Sequence, residues 1–100
     1  MTYLYIHWKG GVLSAQLTII NKYGLHPRAA AKFVSTASAF QSEIKVGRDG
    51  KLVDAKSIMS VMMLAASIDT ILNFEINGAD EAQALKAIDE LINNRFDEEQ

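Results

Sequence analysis

The sequence contains no cysteine and a single proline, Pro27. Without thiols there is neither a disulfide framework nor a cysteine-rich zinc site, so packing alone must hold the fold. An excess of basic charge is also missing: 10 Lys and Arg stand against 12 Asp and Glu, for a net charge of −2. The basic residues are scattered, which leaves no electrostatic footprint for nucleic acid or an anionic membrane. No apolar run is long enough to span a bilayer, so no membrane insertion is expected. The opening MTYLYIHWKGG has no basic n-region, no sustained apolar stretch and no small-residue cleavage site, and so does not read as a signal peptide. The default localisation is therefore cytoplasmic. What is present is 100 residues of which 49% are hydrophobic, enough for one small core and too few for two.

Hydrophobic periodicity divides the chain into alternating strands and helices. Residues 14–21 (SAQLTIIN) place Leu17 and Ile19 on one face, a period of two that suits a strand. From Pro27, the residues Ala30, Phe33, Val34 and Ala37 recur at helical spacing, and this helix is expected to fray near Ser38. Residues 43–48 (EIKVGR) and 51–55 flank Asp49-Gly50, a hairpin signal because both residues tolerate positive φ. Residues 57–66 (SIMSVMMLAA) read as a short helix with Ser57 as N-cap, and 71–76 (ILNFEI) as a strand. Asp80 with Gln83 resembles a capping box, followed by a stripe of Leu85, Ile88, Leu91 and Ile92.

With a hairpin in the middle and three singly striped helices, the chain should form an antiparallel sheet covered on one face. That is a two-layer α+β domain. The organisation is a 1–13 extension of uncertain order, a 14–96 domain and a solvated acidic tail at 97–100.

The stretch YGLHPRAAAKFV sets His26, Pro27 and Arg28 at the start of the first helix. If Pro27 is N1, its missing N–H costs nothing and its fixed φ helps, and His26 is the N-cap. The unpaired N–H groups and positive dipole end of the first turn then suit an anion beside the ring, such as a phosphoryl group on it. Arg28 can add charge-assisted hydrogen bonds to phosphate oxygens, and Gly24 permits a tight turn. By residue type alone, a plain helix cap with a solvated arginine remains the competing reading.

NKYGLHPRAA, KSIMSVMMLAA and NGADEAQALKAIDELI, in this order, resemble the active-site, regulatory-serine and closing-helix segments of HPr. HPr is the histidine-containing phosphocarrier family of the bacterial phosphoenolpyruvate-dependent phosphotransferase system. The resemblance covers residues 14 to about 96. It implies an open-faced β-sandwich, with three helices on one side of a four-stranded antiparallel sheet, and a stoichiometric relay role rather than enzymatic turnover. It further implies that His26 accepts a phosphoryl group through Nδ1 from phosphorylated Enzyme I and passes it to a IIA-class protein. Arg28 would support the phosphoryl group, and no cofactor would be needed. The family run is histidine, variable residue, arginine, proline, whereas here Pro27 fills the variable position and Ala29 the last. Both suit a helix N-terminus, so the acceptor function is expected to survive.

By the same resemblance Ser57 aligns with a serine that a dedicated kinase phosphorylates in some branches, although an N-cap role alone accounts for it. The helix after Ser57 has more apolar residues than one stripe can bury, so Ile58, Met59 and Met62 are expected to form an adaptable partner-binding patch. His7 is given no role, and His7 with His26 supplies too few ligands for a metal. A carrier that presents one face to several partners is expected to be a monomer. Two other readings stay open. One is a regulatory interaction module of a nitrogen-type system, suggested by the acidic FDEEQ tail. The other is an unrelated ferredoxin-like ligand-binding domain.

Overall fold

The computed structural model describes residues 3–100, with side chains from residue 6 onward. Five strands form one antiparallel sheet: β1 (Tyr3–Lys9), β2 (Val12–Thr18), β3 (Glu43–Arg48), β4 (Lys51–Asp54) and β5 (Ile71–Asn77). Their spatial order is β1-β2-β5-β3-β4. Helices α1 (Pro27–Ser38), α2 (Ile58–Met63) and α3 (Glu81–Asn93) complete the two-layer α+β architecture.

The alternating pattern of the strands is what makes the core. Leu13, Ala15 and Leu17 of β2, Leu72, Phe74 and Ile76 of β5, and Ile44 and Val46 of β3 are all buried. They meet Ala30, Phe33 and Ala37 of α1 and Leu85, Ile88 and Ile92 of α3. Phe33 and Phe74 tilt against each other at 6.1 Å between ring centroids, joining helix to sheet. On the opposite sheet face Gln16 Nε2 donates to Asn73 Oδ1 at 2.8 Å. The α1 stripe and the β3–β4 hairpin lie where periodicity put them, and Asp49 and Gly50 both adopt positive φ.

Four expectations need correction. The sheet has five strands rather than four, because residues 3–9 form β1 and pair with β2 across a Gly10-Gly11 turn in which both glycines take positive φ. A glycine pair between two extended runs is a hairpin signal, and this one gives the extension of uncertain order a place as an edge strand over residues 3–9. β2 accordingly begins at Val12 rather than Ser14. The Trp8 indole N–H donates to the Glu81 carboxylate, tying β1 to the first turn of α3; the side chain of Tyr5 lies outside the described side chains.

Asp80 and Gln83 do not form a capping box. The Asp80 carboxylate instead accepts the backbone N–H groups of Gln41 and Ser42, both at 2.9 Å, together with the Ser42 hydroxyl. Glu81 rather than Gln83 satisfies an amide ahead of the helix, accepting from Gly78 N at 3.1 Å. Finally, the 97–100 tail folds back beside α1: Asp97, Glu99 and Gln100 are exposed, as a solvated tail would be, but Glu98 is half-buried.

Candidate functional site

The turn before α1 is fixed by a buried amide. Asn21 is fully buried, and its Nδ2 donates to the Gly24 carbonyl at 2.9 Å while Gly24 N donates to Asn21 O at 3.2 Å. Leu25 N then donates to Ala66 O at 2.8 Å, bonding the turn to the loop that follows α2. Gly24 sits at φ +61°, and a Cβ there would come within 2.8 Å of Ser67 Cα, so the position requires glycine on both counts. The chain leaves this turn extended at His26 (φ −67°, ψ 170°), with Pro27 at N1.

His26 is therefore the N-cap, as the sequence implies, but its ring makes no capping hydrogen bond. Its carbonyl accepts the first intrahelical bond, from Ala30 N at 2.8 Å. The amides of Arg28 and Ala29 precede that bond and have no partner within the helix, and the first turn contains no acidic residue to neutralise them. Arg28 is exposed and lines the same open cleft as the histidine. That cleft has a volume of about 590 Å³, with Tyr23 and Lys32 on its walls and residues 97–100 along one side.

The fourth correction arises at this wall. After α3, Arg95, Phe96 and Asp97 all take positive φ (54°, 53° and 64°), which reverses the chain. Non-glycine residues pay for this conformation. Phe96, fully buried, and Lys32, whose Nζ donates to Phe96 O at 2.9 Å, hold the reversal in place. Gln100 O accepts from Lys22 N, which closes the end of the chain over the turn.

Within this wall Glu98 faces the histidine. One carboxylate oxygen accepts from Asn21 Nδ2 at 3.0 Å, and the other is hydrogen-bonded to His26 Nε2. Burial pushes the Glu98 carboxyl upward, but the hydrogen bonds from Asn21 and His26, with the charges of His26 and Lys32, outweigh it and hold the group below its ordinary range. Glu98, Asn21 and Lys32 were absent from the residues singled out in the sequence. Lys32 had a usable signal, since i, i+4 spacing sets it on the same helix face as Arg28. Glu98 had none, because the contact depends on a left-handed reversal of three non-glycine residues.

Ser57 lies outside the cleft. It caps α2, its hydroxyl accepting from Ser60 N at 3.3 Å. Beyond it, Val61 and Leu64 are buried, whereas Ile58 (38% exposed), Met59 (69%), Met62 (39%) and Met63 (80%) face outward. Ile68 and Tyr23 are exposed as well, in the loop after α2 and in the turn before His26, two segments that the Leu25–Ala66 bond joins. Arg48 donates to the carbonyls of Leu64 and Ala65, at 3.4 and 3.2 Å, and so compensates the negative end of α2.

Among the described residues, no group of three or more His, Asp or Glu side chains is arranged to hold a metal ion, and no helix is long and apolar enough to cross a membrane. Comparison with known proteins bears on the same segment. Residues 13–94 match the family model described as the PTS HPr component phosphorylation site. The phosphocarrier protein HPr of Pseudomonas aeruginosa is 56% identical over 84 residues, 83% of this chain and 93% of its own. That of Cupriavidus necator is 52% identical over 87 residues, 87% of this chain and 98% of its own. A crystal structure of HPr from Thermoanaerobacter tengcongensis superposes with a TM-score of 0.83 at 46% identity, covering 87% of this chain and 98% of the other.

Proposed function

Because the chain belongs to the HPr family of phosphocarriers of the phosphotransferase system, we propose that His26 is the residue that carries the phosphoryl group and Arg28 the side chain that steadies it. The protein is a carrier in a relay and not an enzyme with its own turnover. Family membership removes the unrelated ferredoxin-like alternative, and nothing in the relatives favours the nitrogen-type one. It implies phosphotransferase partners such as Enzyme I and IIA proteins. Working between such partners, the chain is read as a cytoplasmic monomer.

The observation that carries the assignment of His26 is its position as N-cap with a ring that makes no capping bond, beside two backbone amides without intrahelical partners and Arg28 in one open cleft. Nδ1 attacks the phosphorus of a donor phosphohistidine. A nitrogen–phosphorus bond forms as the donor's breaks, and the donor imidazole leaves with its electron pair. Positioning and charge compensation supply the acceleration, through the helix amides and the Arg28 guanidinium around the transferring oxygens. The exposed side chains of Ile58, Met59 and Met62 form the surface on which donor and acceptor proteins dock in turn, since thioethers repack against different contours.

Ser57 acts first as the α2 cap. A phosphoryl group placed on it by a serine kinase would lie beside this apolar surface and oppose docking of an acidic partner. Intact-mass analysis after incubation with Enzyme I, magnesium and phosphoenolpyruvate tests the central reading. One acid-labile phosphoryl group is expected on the wild type and none on His26→Ala. Absence of the group from the wild type, with an Enzyme I shown to be active on another carrier, would overturn it.

A further inference from the structure

We propose that Glu98 is a positioning residue for phosphoryl transfer: it holds the His26 ring by Nε2–H, leaving the Nδ1 lone pair directed at the incoming phosphorus. The inference rests on His26 being the acceptor. It starts from a chain of contacts that begins in the core and ends on the ring. Asn21 is fully buried, its Nδ2 bridges the Gly24 carbonyl and the Glu98 carboxylate, and the other oxygen of that carboxylate meets His26 Nε2. Both oxygens are therefore engaged, and the carboxylate cannot rotate without losing a bond.

An ionised carboxylate only accepts hydrogen bonds, so the nitrogen facing it must carry the proton. In a neutral imidazole the other nitrogen then has the lone pair, as in histidines oriented by a second carboxylate or carbonyl. When Nδ1 bonds to phosphorus, Nε2 keeps its proton and the ring gains positive charge, which Glu98 is placed to offset. No proton has to move in either direction of transfer. Retention of the Nε2 proton also keeps the ring a good leaving group for the next acceptor, which is what a carrier requires.

The tail is built for this contact. Buried Phe96, the Lys32 bond to Phe96 O at 2.9 Å and the Lys22 bond to Gln100 O fix the backbone on either side of Glu98. Asp97 and Glu99 flank it, but both are exposed.

The test uses the full chain, 15N-labelled, as wild type, Glu98→Ala and Glu98→Gln. Two quantities are read: the ring N–H signal of His26 in nitrogen-correlated spectra and the rate of phosphoryl transfer from phosphorylated Enzyme I. The wild type is expected to show a protected Nε2–H signal that Glu98→Ala loses. Transfer to Glu98→Ala should slow by about tenfold, the lower end for loss of a group that orients a reactive imidazole. Glu98→Gln should be intermediate, because its NH2 group, a donor only, must replace the oxygen that faces either Asn21 or His26. Equal rates in wild type and Glu98→Ala, or no Nε2–H signal in the wild type, would overturn the proposal. Dispersed spectra identical outside the cleft show that the variants are folded. A wild type that takes up no phosphoryl group would overturn the acceptor reading itself, a result distinct from equal rates.

Discussion

Lys32 Nζ donates to the carbonyl oxygen of Phe96 at 2.9 Å, so the helix that His26 caps also grips the segment after α3. The same ammonium lies 3.5 Å from Asp97 Oδ2. One lysine thus serves the two halves of the cleft, α1 and the reversed tail.

Replacing Lys32 with methionine should keep the packing of the stem and remove both contacts. The site is partly exposed, so solvent screening holds the loss to about 0.5–1 kcal/mol. The larger effect is expected locally, as faster hydrogen exchange at Glu98 N, which is bonded to Arg95 O at 2.9 Å. Unchanged exchange there would show that the tail is held without the lysine.

Phe96→Ala removes a fully buried ring from beneath the reversal, and the positive φ angles at Arg95, Phe96 and Asp97 then have less to hold them. A loss of about 3–5 kcal/mol in urea-induced unfolding is expected, in line with other buried aromatic truncations. If the cost falls below about 1 kcal/mol, Phe96 is not part of the core that fixes the tail.

Much of this architecture was legible because it is periodic. The stripe of α1, the Asp49-Gly50 hairpin and the buried face of β5 follow from pattern alone, the cap position of Ser57 follows from residue type, and that of His26 follows from Pro27 at N1. What escaped is contact between segments far apart in the chain. Asp80 suited a helix cap by residue type, yet the amides of Gln41 and Ser42 come close enough to take its carboxylate. Residues 97–100 suited a solvated tail by composition, and only the left-handed reversal at 95–97 brings Glu98 to His26. The glycine pair at 10 and 11 was readable, but its weight depended on whether residues 3–9 had a strand edge to join.

Gly24→Ala should injure the site more than the fold. The residue adopts φ +61° and lies against the Ala66–Ser67 backbone, which cannot yield as a side chain would. A destabilisation of about 1–3 kcal/mol is expected from the left-handed backbone and the close contact together. Because Leu25 N bonds Ala66 O, the displaced turn should carry His26 with it. Phosphoryl uptake should therefore fall even at temperatures where circular dichroism shows the variant fully folded, and uptake equal to wild type would contradict this coupling.

Two carboxyls give the fold an acid-sensitive side. For Asp80, hydrogen bonds from the Ser42 side chain and the Gln41 backbone hold the carboxyl below its ordinary value, against a smaller opposing effect of burial. The carboxyl of Glu98 is also held low, with burial opposing its hydrogen bonds and nearby positive charges. A carboxyl with a lower value in the folded than in the unfolded chain contributes stability that is complete above the unfolded value. That contribution is lost as pH falls through the folded value. Urea midpoints should thus decline on acidification from the ordinary carboxylate range downward, and Asp80→Asn should make the decline shallower. A slope identical in wild type and variant would exclude Asp80 as a source.

The exposed methionines separate docking from stability. Met59 and Met63 are 69% and 80% exposed, so converting both to glutamine removes little buried surface and should change the free energy of unfolding by no more than about 0.5 kcal/mol. The pair borders Ile58 and Met62 on the surface reached from the loop bonded to the His26 turn, and a docked partner would cover it. Loss of apolar anchors near the centre of an interface typically costs about 1–2 kcal/mol of binding, or roughly five- to thirtyfold in affinity. The double variant should therefore need a higher carrier concentration for half-maximal phosphorylation by Enzyme I while reaching the wild-type maximal rate. A fall in maximal rate with unchanged concentration dependence would instead tie these side chains to the geometry of His26, and α2 would cease to be a docking surface.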